Sequence, residues 1–287
     1  MKICAVILDY RGASKTKACL LSLVSEGIDT VLVVDNSANV QASEQLSDVL
    51  ARLKAHGIDY TLHVLTPVEN LGFARGVNFA INTAAAQSCD AILLLNNDAS
   101  LTTGSVARMS EALSSRDADL IAPAIIDEND AVQAMMWYQR FFGLLTNRAL
   151  PGSFPYLSGC CLLFRRDLPV SGSLFDESFF MYGEDTLLGW HMAARKKTML
   201  RLDTALVRHT GQDPTSACTL FYEYHMARAH ILLALKARRS LLEIPLLLIG
   251  KSMGLALRAM LRCYRYKSGI PILAFFLAWM PIPLRKL

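Results

Sequence analysis

Five short runs of Val, Ile, Leu and Ala punctuate the first half of the chain, at residues 3–8, 30–34, 62–65, 91–95 and 120–124, each closed by a polar or turn residue. Runs of this length and composition predict buried strands. Between them, residues 14–26, 43–56, 73–86 and 102–115 carry apolar side chains at helical spacing, which predicts amphipathic helices. Strand and helix therefore alternate, and the alternation predicts βαβ units in an α/β fold, with a mostly parallel sheet flanked by helices. Residues 125–156 interrupt the pattern with a cluster of Trp137, Tyr138, Phe141 and Phe142 ahead of Pro151 and Gly152, and read as an irregular loop covering a site. From about Cys218 onward the pattern is wholly helical. The chain thus divides into an α/β domain over 1–238 and a helical tail over 239–287, with no internal repeat.

In a parallel sheet, ligands bind beyond the carboxyl ends of the strands, so the residues found there carry the chemistry. They are Asp9, Tyr10 and Arg11 after the first run, Asp35, Asn36 and Ser37 after the second, Glu69 and Asn70 after the third, and Asn96, Asn97 and Asp98 after the fourth. Asp98 suits either a hard divalent cation bridging two phosphates or the cap of the next helix, and Asn97 either a neutral oxygen ligand or support of the turn. Neither G-x-G-x-x-G nor G-x-x-x-x-G-K-[ST] occurs, which points to phosphate held through a metal rather than by a glycine cradle. Asp35 fits hydrogen bonding to a base or ribose, or a helix cap.

Residues 70–78 place Asn70, Gly72 and Arg75 at the mouth of a helix, where a backbone can approach an anion and a guanidinium can grip it. Glu184 and Asp185 emerge from the aromatic segment 175–183 and open another helix. One of the pair reads as a general base whose proton affinity apolar surroundings raise, and the other as a cap. His209 reads either as a ligand of the same metal or diphosphate, or as a structural imidazole.

Composition narrows the function classes. Hydrophobic residues are 53% and charged residues 19% of 287, and mean hydropathy is +0.30, which excludes a disordered chain. Seven cysteines without a C-x-x-C pair read as buried thiols in a reducing compartment. Residues 236–287 hold ten Lys and Arg against the single acid Glu243. Lys251, Arg258, Arg262 and Arg265 share a helical face beside Leu247, Met253, Leu257 and Leu261, a stripe suited to an anionic lipid interface or to a homodimer contact, and not to nucleic acid. The apolar run after Met1 is too short for a signal peptide, and the tail is interrupted by Glu243, Pro245 and Lys251 before reaching ~18 apolar residues. A cytoplasmic protein, peripheral at the inner face of the membrane, is expected.

Five strings resemble the inverting family 2 glycosyltransferases of GT-A fold, particularly the bacterial rhamnosyltransferase-like branch: residues 33–37 (VVDNS), 70–78 (NLGFARGVN), 95–98 (LNND), 158–160 (SGC) and 175–185 (FDESFFMYGED). The resemblance spans about residues 3–210. It implies a Rossmann-like GT-A domain that moves a sugar from a nucleoside diphosphate donor, dTDP- or UDP-linked, to a hydroxyl of a lipid-linked or cell-surface glycan, as in polysaccharide biosynthesis. Asp9, Tyr10, Asp35, Asn70, Gly72, Arg75, Asn97 and Gly159 would then bind the donor. Asp98 and His209 would hold Mg2+ or Mn2+, and Asp185, with Glu184, would be catalytic. Two positions depart from the family pattern: Leu187 stands where the family carries a second Asp, and Arg11 follows Tyr10 where it carries Asn. Two other readings stay open, a sugar-phosphate nucleotidyltransferase and a catalytically silent homologue acting as a binding scaffold.

Overall fold

The computed structural model describes residues 1–115, 118–127, 129–133, 135–210 and 218–280, without the side chain of Ala205. The chain forms two compact units. The first comprises Met1–Ala134, Leu157–Phe175 and Met192–Gly211, and the second Met135–Tyr156, Asp176–His191 and Gln212–Leu287.

The first unit is built on an eight-stranded sheet. The predicted strands form as β1 (Ile3–Asp9), β2 (Thr30–Asp35), β3 (Thr61–Leu65), β4 (Ala91–Leu95) and β6 (Leu120–Ile126); β5 (Ala99–Leu101), β10 (Cys161–Arg165) and β11 (Met199–His209) complete it. The order is β3-β2-β1-β4-β10-β6-β11-β5. Four neighbouring pairs are parallel, while β10 runs antiparallel to both β4 and β6, and β5 antiparallel to β11. β4 reads Ala-Ile-Leu-Leu-Leu because it is covered on both faces, and all five of its residues are buried. Helices α1 (Ala13–Leu21), α2 (Val40–Ala55), α3 (Gly72–Ile81), α4 (Ala84–Gln87) and α5 (Ser105–Ser115) flank the sheet. Gly76 lets α3 lie directly on β1, since a Cβ there would meet Leu8 at 2.6 Å. From the same helix, buried Asn78 donates to the Phe175 carbonyl (2.8 Å) and accepts from the N–H groups of Leu174 (3.0 Å) and Phe175 (3.2 Å).

In the second unit, residues 136–156 are not the irregular loop expected but an antiparallel sheet of order β8-β7-β9, with β7 (Met136–Gln139), β8 (Leu144–Thr146) and β9 (Ser153–Tyr156). The aromatic residues that masked the pattern build its core: Tyr138, Phe154 and Tyr156 pack with Phe179, Leu187, Ala229 and Leu233. The helices are α6 (Glu184–Ala194), α7 (Leu220–Lys236), α8 (Ile244–Tyr266) and α9 (Ile270–Ala278). α7 shares an apolar cluster with α8 and α9, including Tyr224, Ala227, Ile231, Leu255 and Ala274, so the helical assembly begins ahead of residue 239.

Three of the four stripe cations turn inward, and Arg265 is exposed. Lys251 is fully buried and donates to the Tyr138 hydroxyl (2.7 Å). Arg258 and Arg262 both bind buried Glu223 of α7, the former at 2.6 Å. Helical spacing groups these three cations on one face, and that face packs against the protein, where Glu223 pairs with the two arginines and Lys251 meets a tyrosine hydroxyl. The interruptions in the tail are also absorbed: Pro245 sits in the first turn of α8, where its missing N–H costs nothing, and Glu243 pairs with Arg140 at 3.0 Å. Leu241–Tyr266 is consequently one helical stretch long and apolar enough to cross a membrane by length and composition. All seven cysteines are free thiols, five of them buried.

Candidate active site

The carboxyl ends of β1, β2 and β4 gather the expected polar residues. Asp9 and Asp35 are register partners on adjacent parallel strands, and both side chains are buried. Asp9 accepts a short hydrogen bond from the Thr16 hydroxyl of α1 and a longer one from the Gly12 N–H (3.3 Å). Burial pushes its carboxyl above the usual carboxylate range against those bonds, and the neighbouring Asp35 adds to the rise. Asp35 Oδ1 accepts from the Ser37 N–H (3.1 Å) and hydroxyl (2.5 Å), so it organises the turn after β2. Tyr10 lies open, 53% exposed, with the Arg11 guanidinium 5.2 Å from its ring centre.

Asn97 does not aim its side chain at Asp98. Its amide nitrogen donates to the Thr16 hydroxyl (3.1 Å) and lies 3.4 Å from Asp9 Oδ1, tying the ends of β4 and β1 together. A Cβ at Gly12 would meet the Asn97 amide nitrogen at 2.7 Å, so a side chain there would displace Asn97. The entrance to α3 is equally ordered. Gly72 has φ +73°, a backbone that favours glycine, and its N–H is held by the Asn70 side chain at 2.9 Å. Asn36 spans to the same turn, accepting from the Leu71 N–H (2.8 Å) and donating to the Gly72 carbonyl (3.1 Å). Arg75 forms a half-exposed ion pair with Glu69 at 3.1 Å, which an incoming anion can exchange at little cost. Gly159 is buried just before β10, next to Cys160, whose carbonyl accepts from the Asn96 N–H (2.9 Å).

Asp98 and His209 face each other, with Nε2 3.1 Å from Oδ1. Strand pairing puts them there: β11 runs antiparallel to β5 with His209 opposite Ala99, and the Thr210 N–H donates to the Asp98 carbonyl (3.1 Å). A carboxylate oxygen and an imidazole nitrogen at this separation match adjacent vertices of an octahedral ion with bonds of about 2.1 Å. The two side chains are hydrogen-bonded to each other here and are of types that could hold a divalent metal. Among the described residues, no cluster of three or more His, Cys, Asp or Glu could hold a metal by itself.

In the second unit, Tyr182 and Gly183 both have positive φ, +64° and +85°, and deliver Glu184 and Asp185 to the first turn of α6. A non-glycine residue in the left-handed region is strain held by its surroundings. A Cβ at Gly183 would crowd Phe179 (3.0 Å) and Ala229 (3.1 Å). Glu184 is buried, its Oε2 lacks a hydrogen-bond partner, and burial followed by the adjacent Asp185 charge raises its carboxyl well above the usual range. Burial and the adjacent Asp185 charge both favour the protonated form of Glu184. Asp185 Oδ1 accepts from the Thr186 N–H at 2.6 Å. Burial, then the nearby Asp185 charge, pushes the Tyr156 hydroxyl upward and keeps it protonated. Leu187 is buried among Tyr138, Phe154, Tyr156 and Phe179, an apolar setting with no place for the family's second acid.

Two contributors were not singled out from the sequence as site residues. Thr16 could have been found as a polar side chain on the apolar face of α1, beside Cys19 and Leu20. Tyr156 carries no local signal, because its partners are distant in sequence; Asn36 was legible at its strand end, but its bonds to Leu71 and Gly72 were not.

A sheet whose parallel strands end in acids, with a carboxylate–imidazole pair at one edge, is an α/β assembly of the GT-A kind. Residues 4–169 match the family model described as glycosyl transferase family 2, and the chain belongs to that family. Solved structures agree in fold. A mannosyltransferase from Pyrobaculum calidifontis, in complex with GDP-Man and Mn2+, superposes with a TM-score of 0.60 at 13% identity over 98% of this chain and 76% of its own. Residues 1–349 of S. aureus TarS give a TM-score of 0.56 at 16% identity over 89% and 71%. An uncharacterized protein of Mycobacterium tuberculosis (strain ATCC 25618 / H37Rv), Rv1525, is 25% identical over 201 residues, 62% of this chain and 73% of its own.

Proposed function

We propose that the protein is a metal-dependent, inverting transferase that moves a hexosyl unit, with rhamnose the first candidate, from a nucleoside diphosphate to a hydroxyl of a lipid-linked or cell-surface glycan. The observation that carries this reading is the Asp98–His209 pair at 3.1 Å, at the edge of a sheet whose β1 and β2 end in Asp9 and Asp35. Support comes from similar folds recorded with GDP-Man and Mn2+ or with UDP, GalNAc and Mn2+.

Asp35 and Tyr10 bind the nucleoside, with Asp9 and Asn97 holding the strand ends that frame it. Asn70 and Gly72 shape the mouth of α3 for the diphosphate, and Arg75 exchanges Glu69 for it. Gly159 leaves room for the sugar. Asp98 and His209 would hold the Mg2+ or Mn2+, which supplies positive charge to offset the departing diphosphate. The Asp185 carboxylate takes the proton of the acceptor hydroxyl. The oxygen then forms its bond to the anomeric carbon as the carbon–oxygen bond to the diphosphate breaks on the opposite face, and the bond electrons leave with the diphosphate. Glu184, whose protonated form is favoured by burial and by the Asp185 charge, competes poorly for that proton.

The test is donor turnover by the purified chain with dTDP-rhamnose, UDP-sugars or GDP-mannose, with manganese or magnesium and with chelator. Release of nucleoside diphosphate from one donor, abolished by chelator, supports the reading; release unchanged by chelator overturns metal dependence. Donor binding without turnover, even when glycan acceptors are supplied, would favour a binding scaffold.

A further inference from the structure

Helix α8 turns Lys251, Arg258 and Arg262 toward the protein and a row of apolar side chains outward. On α8, Leu246, Ile249, Met253, Leu257, Met260 and Tyr264 recur at steps of three and four and are each more than half exposed. The opposite side of the helix is committed to the protein through Leu247, Lys251, Leu255 and Ala259 and through the Arg258 and Arg262 bonds to Glu223. The exposed surface continues beyond the helix. A Cβ on Gly254 would lie 2.2 Å from the Phe142 carbonyl, so the turn between β7 and β8 rests directly on α8. Leu144 and Leu145, which follow it, are both nearly half exposed.

Charge at the margins of this face identifies what covers it. Arg239 precedes α8, Arg265 and Lys267 close it, and all three are exposed. Beyond residue 235 the only acid is Glu243, which Arg140 already engages. A second copy packed on the same face would bring two sets of cations together with no acids to offset them. Anionic headgroups complement them, and the outward tyrosine at position 264, 89% exposed, suits the same depth.

We propose that this face docks the protein on an anionic bilayer, with α8 lying in the interfacial plane and its apolar stripe inserted. The helix does not need to cross, because one of its sides is fixed to α7 by buried ion pairs. Docking rests on apolar insertion, with Arg239, Arg265 and Lys267 as headgroup contacts; the inward stripe of Lys251, Arg258 and Arg262 takes no part. That docking would bring the enzyme to a lipid-linked acceptor rests on the transfer reading, whereas the docking itself does not.

The experiment is co-sedimentation of the full chain with phosphatidylcholine vesicles containing a minority of phosphatidylglycerol, at low and high salt and without donor or metal. The wild type is expected to sediment with vesicles, to weaken several-fold in high salt and to remain bound, because salt screens headgroup contacts and leaves apolar insertion intact. Met253→Glu combined with Leu257→Glu should lower partitioning about tenfold or more with an unchanged circular dichroism melt. The milder Met253→Gln with Leu257→Gln serves if the first pair fails to fold. No sedimentation at either salt would overturn the proposal, as would a stable dimer in light scattering that the double variant converts to monomer. Full release by salt alone would also overturn it, since that behaviour belongs to a purely electrostatic contact.

Discussion

Asp98 and His209 lie 111 residues apart in the chain, yet Oδ1 and Nε2 stand 3.1 Å from each other because β11 returns antiparallel to β5 with His209 opposite Ala99. The position of this pair depends on β-ladder hydrogen bonds and not on a flexible loop. Rigid placement is what the proposed role of the pair as metal ligands would require.

His209→Ala should weaken manganese binding in the presence of nucleoside diphosphate by about ten- to a hundredfold. Calorimetry of the ternary complex measures this without turnover. Unchanged affinity would remove His209 from the ligand set.

Asp185→Asn should lower transfer by about a hundredfold or more while changing donor affinity only a few-fold, since general base catalysis contributes on the order of 10²–10⁴. Glu184→Gln should behave differently. It replaces a carboxyl that is already protonated at neutral pH with a neutral group of the same shape, so activity near pH 7 should be largely kept. Parallel rate measurements on the two variants separate the roles.

Glu184 also shapes stability. Its folded carboxyl is raised by burial and by Asp185, so the folded state holds a proton that the unfolded state has released above about pH 4.5. Stability contributed by this group should fall as pH rises from there toward its raised titration. The wild-type minus Glu184→Gln difference in Tm across that range should slope downward, and a flat difference would contradict it.

Lys251 should slope the other way. Burial, then the Arg140 charge, lowers it from 10.5 to about 7. Its ammonium donates to Tyr138, whose hydroxyl bonds to His230 Nδ1 at 2.8 Å, and His230 is itself held neutral, depressed to about 3 by burial and by the Lys251 and Arg258 charges. Between pH 7 and 10.5 the unfolded chain binds the Lys251 proton and the folded one does not, so stability contributed by the group rises with pH over that window. Lys251→Met should flatten the rise and raise Tm at pH 7, an effect of about 1 kcal/mol or more.

Leu187→Asp, which restores the acid of the family pattern, should destabilise the protein by roughly 3–5 kcal/mol, as expected for an uncompensated charge placed in an apolar core. A variant as stable as wild type would mean that the cluster of Tyr138, Phe154 and Phe179 opens to water. Activity gained along with stability would contradict the assignment of Leu187 to the core.

Strands β1, β2, β4 and β6 were legible because they are continuous apolar runs, which a sheet covered on both faces requires. β7 and β9 were not, because Met136–Gln139 and Ser153–Tyr156 mix aromatic and polar residues with a proline, and their pairing partners lie on the far side of a turn. Asp98 and His209 were both legible as candidates, but their meeting at 3.1 Å depends on long-range ladder register. The tail shows the limit most clearly. Spacing correctly groups Lys251, Arg258 and Arg262 on one face, but periodicity carries no information about which way that face turns. Glu223, which decides it, lies on α7, 35 residues before Arg258.

If Asp98 holds the metal, sugar transfer should depend on both. The most direct measurement is nucleoside diphosphate release from a turned-over donor, titrated with manganese, for the wild type and Asp98→Asn, with circular dichroism confirming that both are folded. Saturable, manganese-dependent release is expected from the wild type, and a loss of about a hundredfold or more in the variant. Equal release by the two proteins would contradict it.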